Sequence, residues 1–150
     1  MRARDLMTAF PAFTTPKDEI AKAAGVMRDR EVGMLPVVED EHGMRLVGVI
    51  TDRDMAVRCL AEHHDGKCPV RAHMTSGALA TVEPDDDVSM VLQLMSRAQV
   101  RRLPVVDDQQ RLLGVIAQAD ILRKLAPEHP RDVIDVLEDI SAAAPVRAHA

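Results

Sequence analysis

Apolar residues recur along the chain in two matching series. Ile20, Ala24 and Met27 stand at helical spacing, and so do Val88, Leu92 and Met95. Each stripe predicts an amphipathic helix with these residues in a core. Thr15-Pro16 and Glu83-Pro84 precede the stripes, with carboxylates close behind, and predict helix starts with proline in the first turn. Short apolar segments at 12–14 and 80–82 come before them. After each helix, two apolar runs flank a polar turn: 35–38 and 46–50, then 103–106 and 112–116. Their length and Val/Ile content predict strands. Second helices are expected over 52–61 and 118–125.

The two series are copies. Met7-Thr8 recurs as Met74-Thr75. Leu35-Pro36-Val37-Val38 recurs as Leu103-Pro104-Val105-Val106, and Gly48-Val49-Ile50-Thr51-Asp52-Arg53-Asp54 as Gly114-Val115-Ile116-Ala117-Gln118-Ala119-Asp120. Each copy reads β-α-β-β-α with a short helix before it. A unit of about 60 residues buries too little surface to be stable alone, so two copies are expected to share one module. The predicted organisation is repeat one at 5–62, a linker at 63–69, repeat two at 70–126, and a C-terminal segment at 127–150. That segment holds a helix with Val133, Ile134, Leu137 and Ile140 on one side, followed by a mobile tail over 143–150.

Composition narrows the function. Of 150 residues, 47% are hydrophobic, yet the only aromatic ones are Phe10 and Phe13, so aliphatic side chains and nine Met must fill the core. A net charge of −5 and the lack of stacking rings argue against nucleic-acid binding. No apolar run is long enough to span a bilayer, and the N-terminus does not read as a secretory signal. With only two Cys, the expected setting is the cytoplasm. No nucleophile elbow, P-loop or dinucleotide fingerprint is present, so no catalytic residues and no enzyme activity are expected.

The paired Met-Thr, LPVV and GVITDRD/GVIAQAD motifs resemble the cystathionine β-synthase (CBS) domain family over about residues 5–125. The resemblance implies an α/β (α+β) fold, with two tandem CBS repeats forming one pseudo-twofold module. It implies no required cofactor, but a regulatory adenosine ligand (AMP, ADP, ATP or S-adenosylmethionine) in a cleft between repeats. It also implies a homodimer, expected here through exposed helical faces. Output is expected to pass through dimer geometry or a separate effector protein. By the family pattern, Thr51 lies near phosphate and Asp54 on ribose, Ile50 belongs to an apolar wall, and Arg101, Arg102, Thr81 and Val82 face the same ligand. A weaker second site would use Asp120, Ala117, Thr14 and Thr15, because Ala117 lacks the hydroxyl of Thr51. Read from the residues alone, Thr51-x-x-Asp54 is also a capping-box-like helix start, with Thr51 as N-cap and Asp54 reaching back. The alternative function is therefore a ligand-free dimerisation scaffold.

One cluster stands outside this pattern. Cys59, His63, His64 and Cys68 form Cys-x3-His-His-x3-Cys. Zinc accepts such ligands, but the spacing matches no recognised finger. The expectation is a helix end with a polar linker, and no stoichiometric metal.

Overall fold

The Thr-Pro and Glu-Pro dipeptides do not start the long helices. In the computed structural model, which describes residues 1–142, those helices are α2 (Ile20–Arg30) and α4 (Val88–Ala98). They begin four residues later than the prolines because the intervening residues form a turn. The Asp18 carboxylate accepts the Thr15 N–H at 2.9 Å, and that of Asp86 accepts the Glu83 N–H at 2.8 Å. Each turn leads into an extended residue, Glu19 or Asp87, before the helix. Residues 143–150, on which the mobile tail was expected, lie outside the described residues.

The remaining elements follow the repeat. The first half has α1 (Ala3–Leu6), β1 (Thr8–Ala9), β2 (Met34–Val38), β3 (Leu46–Thr51) and α3 (Asp52–Asp54), which runs on into a π-helical turn, Met55–Leu60. A 3-10 turn, Val70–Ala72, leads into the second half: β4 (Arg102–Val106), β5 (Leu112–Ala117), α5 (Gln118–Leu125) and α6 (Pro130–Ser141). None of the helices among the described residues is long and apolar enough to cross a membrane.

The hairpins pair in the same register in both repeats. Leu35 faces Ile50 and Val37 faces Gly48; Leu103 faces Ile116 and Val105 faces Gly114, each with a slip one residue later. Thr14 and Val82 join β2 and β4 in parallel. The fourth position of each sheet is exchanged. Thr8 of the first motif pairs with Val115 in β5, and Thr75 of the second pairs with Val49 in β3. Glycine permits this exchange. A Cβ on Gly48 would stand 2.8 Å from the Thr75 carbonyl, and one on Gly114 would stand 2.7 Å from the Met7 sulfur. The two hairpin turns also meet: Leu46 N–H donates to Gln110 O and Leu112 N–H to Met44 O, both at 2.9 Å.

Two aliphatic cores result. One packs Ala3 and Leu6 with β4, β5, α4, α5 and α6; the other packs Ile20, Leu35, Ile50, Met55 and Val70. Ile20, Met27, Leu92 and Met95 are buried as expected, whereas Ala24 and Val88 are half-buried and Ala23 and Val91 take the innermost places. Val88 packs against the edge of the second core, although Ile20, which opens α2 in the same way, is buried. On α6 the buried residues are Val133, Val136 and Ile140; Ile134 is exposed and Leu137 half-buried. The face that α6 turns to α4 and α5 is thus centred on the 133/136/140 row.

Candidate functional site

β3 delivers Thr51 to the start of α3, where Thr51 and Asp54 cap each other. The Thr51 hydroxyl accepts the Asp54 N–H at 3.1 Å, and the Asp54 carboxylate accepts the Thr51 N–H at 3.0 Å. Beside this cap opens a cleft of about 650 Å³, with Val49, Thr51, Leu79, Ala80, Arg101 and Arg102 among its walls. Thr51, Arg101 and Arg102 are therefore brought together. Asp54 is not on the lining: its carboxylate is held by the cap and lies 3.7 Å from Arg58. Ile50 and Val82 are buried in the two cores and do not line the cleft. Thr81 faces separate hollows shared with Arg45, Val82 and Gln110.

Strand alternation explains the difference. Ile50 points into the core, so its neighbours Val49 and Thr51 point to the cleft. The opposite wall is formed by the irregular segment before Val82, where Ala78, Leu79 and Ala80 face the cleft and Thr81 and Val82 do not. The apolar wall was visible in the period-two pattern, had the core face been assigned first.

Among the described residues, neither Arg101 nor Arg102 forms an ion pair. The local acid Asp107 is taken by Arg111 at 2.7 Å. The Arg111 N–H and guanidinium, with the Gln109 N–H, hold the Asp107 carboxyl below its ordinary range despite some burial. Gly33 stands where the second repeat has Arg101. A Cβ there would meet the Asp52 carboxylate at 2.9 Å, and the Arg102 guanidinium lies 3.5 Å from the same point.

The second cleft is smaller, about 230 Å³, and contains Ala117, Asp120, Val115, Phe10 and Arg102 among its walls. Arg102 thus borders both clefts. Asp120 is buried and committed: it accepts the Ala117 N–H at 2.8 Å and pairs with Arg123 at 2.6 Å. Thr14 and Thr15 do not line this cleft. Thr14 is buried and donates its hydroxyl to Asp18 at 2.9 Å, the same carboxylate that accepts the Thr15 N–H.

The Cys/His cluster is rearranged. His64 and Cys68 meet His73, which the motif did not include, and neither Cys59 nor His63 is in the group. Burial, then the nearby His64 and Arg58, push the His73 imidazole below its ordinary value.

Comparison with known proteins agrees with the duplicated architecture. A family model for the CBS domain matches residues 3–60 and again 70–127. The CBS domain-containing protein YhcV of Bacillus subtilis is 40% identical over 118 residues, covering 79% of this chain and 81% of its own. A solved structure of Hypoxic Response Protein I with two coordinated zinc ions is 32% identical, with a TM-score of 0.74, covering 83% of this chain and 99% of that one. The CBS domain pair of protein MJ0100, in complex with 5′-methylthioadenosine and S-adenosyl-L-methionine, is also 32% identical, with a TM-score of 0.72 over 85% of this chain and 97% of that one. Two half-molecules with matching hairpins, exchanged Met-Thr segments and a double family match lead to one conclusion: the chain belongs to the CBS-domain family and carries two tandem copies of the domain.

Proposed function

We propose that this chain is a regulatory module whose larger cleft binds an adenine nucleotide. The observation that carries the reading is the pair of arginines, Arg101 and Arg102, without carboxylate partners among the described residues, on the rim of a 650 Å³ cleft with an apolar wall. That volume suits a small ligand, and guanidinium forks suit phosphate. The start of α3 contributes less, because the Asp54 N–H is already taken by Thr51 and the Arg53 N–H by Asp52. The adenosyl compounds bound by the MJ0100 pair support an adenosine ligand. S-adenosylmethionine ranks below AMP, ADP and ATP, since its sulfonium would sit against the same positive charge.

The module signals through a homodimer or an effector protein, and is not itself an enzyme. Val57 and Leu60 after α3, Met90 on α4 and Leu122 on α5 are exposed apolar positions that fit a helical contact face. The scaffold reading retains one specific support: Thr51 and Asp54 satisfy each other without any ligand.

Calorimetry with AMP, ATP and S-adenosylmethionine separates the two. Wild type is expected to bind a nucleotide, the Arg101→Ala/Arg102→Ala variant at least about tenfold more weakly, and Asp120→Ala nearly as well as wild type. Absence of binding by every compound rejects the sensor and leaves the scaffold.

A further inference from the structure

We propose that Cys59, His64, Cys68 and His73 form a four-coordinate zinc site that fastens the inter-repeat link to the core of the first repeat. The ligand atoms of His64, Cys68 and His73 lie within 4.8 Å of one another. Around a tetrahedral zinc such atoms stand about 3.5 Å apart, so closure needs roughly 1 Å of movement. His64 is exposed, its ring 5.2 Å from that of the buried His73, and Cys68 is half-buried. Cys59, on the π-helical turn, is buried with its thiol 3.8 Å from the His64 carbonyl and 3.6 Å from that of Asp65. Its sulfur is not among the atoms grouped within 4.8 Å, but it adjoins the loop that carries them, and a small shift of that loop would bring it in.

Two further observations point to a ligand. His73 Nε2 is wholly buried and, among the described residues, has no hydrogen-bond partner. A buried imidazole nitrogen without a partner is costly, and a metal bond would remove the cost. The second observation comes from the repeat itself. His73 precedes Met74-Thr75 as Leu6 precedes Met7-Thr8, and Cys59 stands five residues after Asp54 as Leu125 does after Asp120. The contacts confirm the match: Arg58 donates to the His73 carbonyl at 3.3 Å, and Lys124 to the Leu6 carbonyl at 3.3 Å. Leu6 and Leu125 are both buried in the core of the second repeat. Where one half of the molecule has two core leucines, the other has a cysteine and a histidine. Packing alone would favour leucine; ligation accounts for the exchange.

Two thiolates and two imidazoles form a donor set that suits zinc. On binding, each thiol loses its proton to solvent, and each neutral imidazole offers a lone pair without losing one. The metal would join the end of the first repeat's last helix to the turn that opens the second.

The test uses the full chain, free of any polyhistidine tag, with zinc content and competition against a chromophoric chelator as readouts. About one zinc per chain is expected. His73→Ala and Cys68→Ser should each weaken zinc binding by about 100-fold or more, with folding checked by circular dichroism. His63→Ala should leave affinity unchanged. Cobalt substitution should give a thiolate charge-transfer band that diminishes in Cys59→Ser. Wild type that takes up no zinc overturns the proposal, as does a Cys59–Cys68 disulfide in its place. Equal losses in His63→Ala and His64→Ala, or a Cys59→Ser protein with wild-type affinity and cobalt spectrum, overturn the ligand assignment.

Discussion

Ala117→Thr should stabilise the protein. Thr51 and Ala117 hold the same place in the two repeats, the last residue of a strand and the cap of the next helix, with backbone angles of −113°/162° and −105°/155°. In the first repeat both hydrogen bonds of the cap are made. In the second only one is, from Ala117 N–H to Asp120 at 2.8 Å, because alanine has no hydroxyl to accept the Asp120 N–H. The acceptor can be added without moving the backbone, since the extended conformation suits a β-branched residue. Space exists as well: Ala117 is half-buried and borders the 230 Å³ cleft. An alanine-to-threonine change at such a position is worth about 1 kcal/mol. For a chain of this size that raises the unfolding midpoint by about 3 °C. Thr51→Ala should lower it by a similar amount. The chain has no Trp or Tyr, so far-UV circular dichroism is the suitable assay. A midpoint that falls in Ala117→Thr, or stays fixed in Thr51→Ala, would refute the capping argument at this position.

Two other perturbations test the fold. Gly48→Ala places a Cβ 2.8 Å from the Thr75 carbonyl and 3.0 Å from the Met74 sulfur, so it should cost about 1–3 kcal/mol in urea denaturation; a cost near zero would mean that the exchanged Met-Thr segment is not closely seated. Asp18→Asn tests acid sensitivity: burial pushes the Asp18 carboxyl up, but Lys22 at 2.7 Å, the Thr15 N–H and the Thr14 hydroxyl outweigh it and hold it below its ordinary 3.8. A depressed carboxyl contributes stability that is complete above the unfolded value and is lost as pH falls from there through the lower folded value. The variant should therefore lose less stability than wild type between about pH 5 and pH 3, and an unchanged acid limb in urea titrations would count against the assignment.

What the sequence made legible was local. Hairpins and helix stripes depend on neighbours a few positions away, so the two β-α-β-β-α units could be read directly, with Ala24 off by one residue from Ala23 and Val88 by one turn from Val91. The exchange of the Met-Thr segments was not legible. Met7 belongs to the first motif by order, yet it packs on Gly114 of the second repeat, and Met74 packs on Gly48 of the first. A glycine in a strand signals a close approach of backbone, but not from which copy. The cleft was legible in Thr51, Arg101 and Arg102, whose motif positions map onto one surface. It was misread at Ile50 and Val82, because the residues named lie on the core face of their strands.

The same locality explains why His73 escaped the Cys/His motif. Counting Cys-x3-His-His-x3-Cys treats the link as a linear spacing, whereas the turn Val70–Ala72 folds the chain back so that residue 73 returns to residues 64 and 68. No apolar period announces that turn. The repeat did carry a usable signal. Aligning the Met-Thr motifs sets His73 opposite Leu6, and aligning the helices sets Cys59 opposite Leu125. In a duplicated fold each half predicts the core of the other, so a pair of core leucines replaced by two metal-ligating side chains marks a departure that packing does not explain. Leu6 and Leu125 fall in one core of the structure; Cys59 falls in the other, with His73 buried beside Cys68 at its edge. Comparing the two halves position by position, instead of scanning each for a known finger, is what separates Cys59 and His73 from the exposed His63.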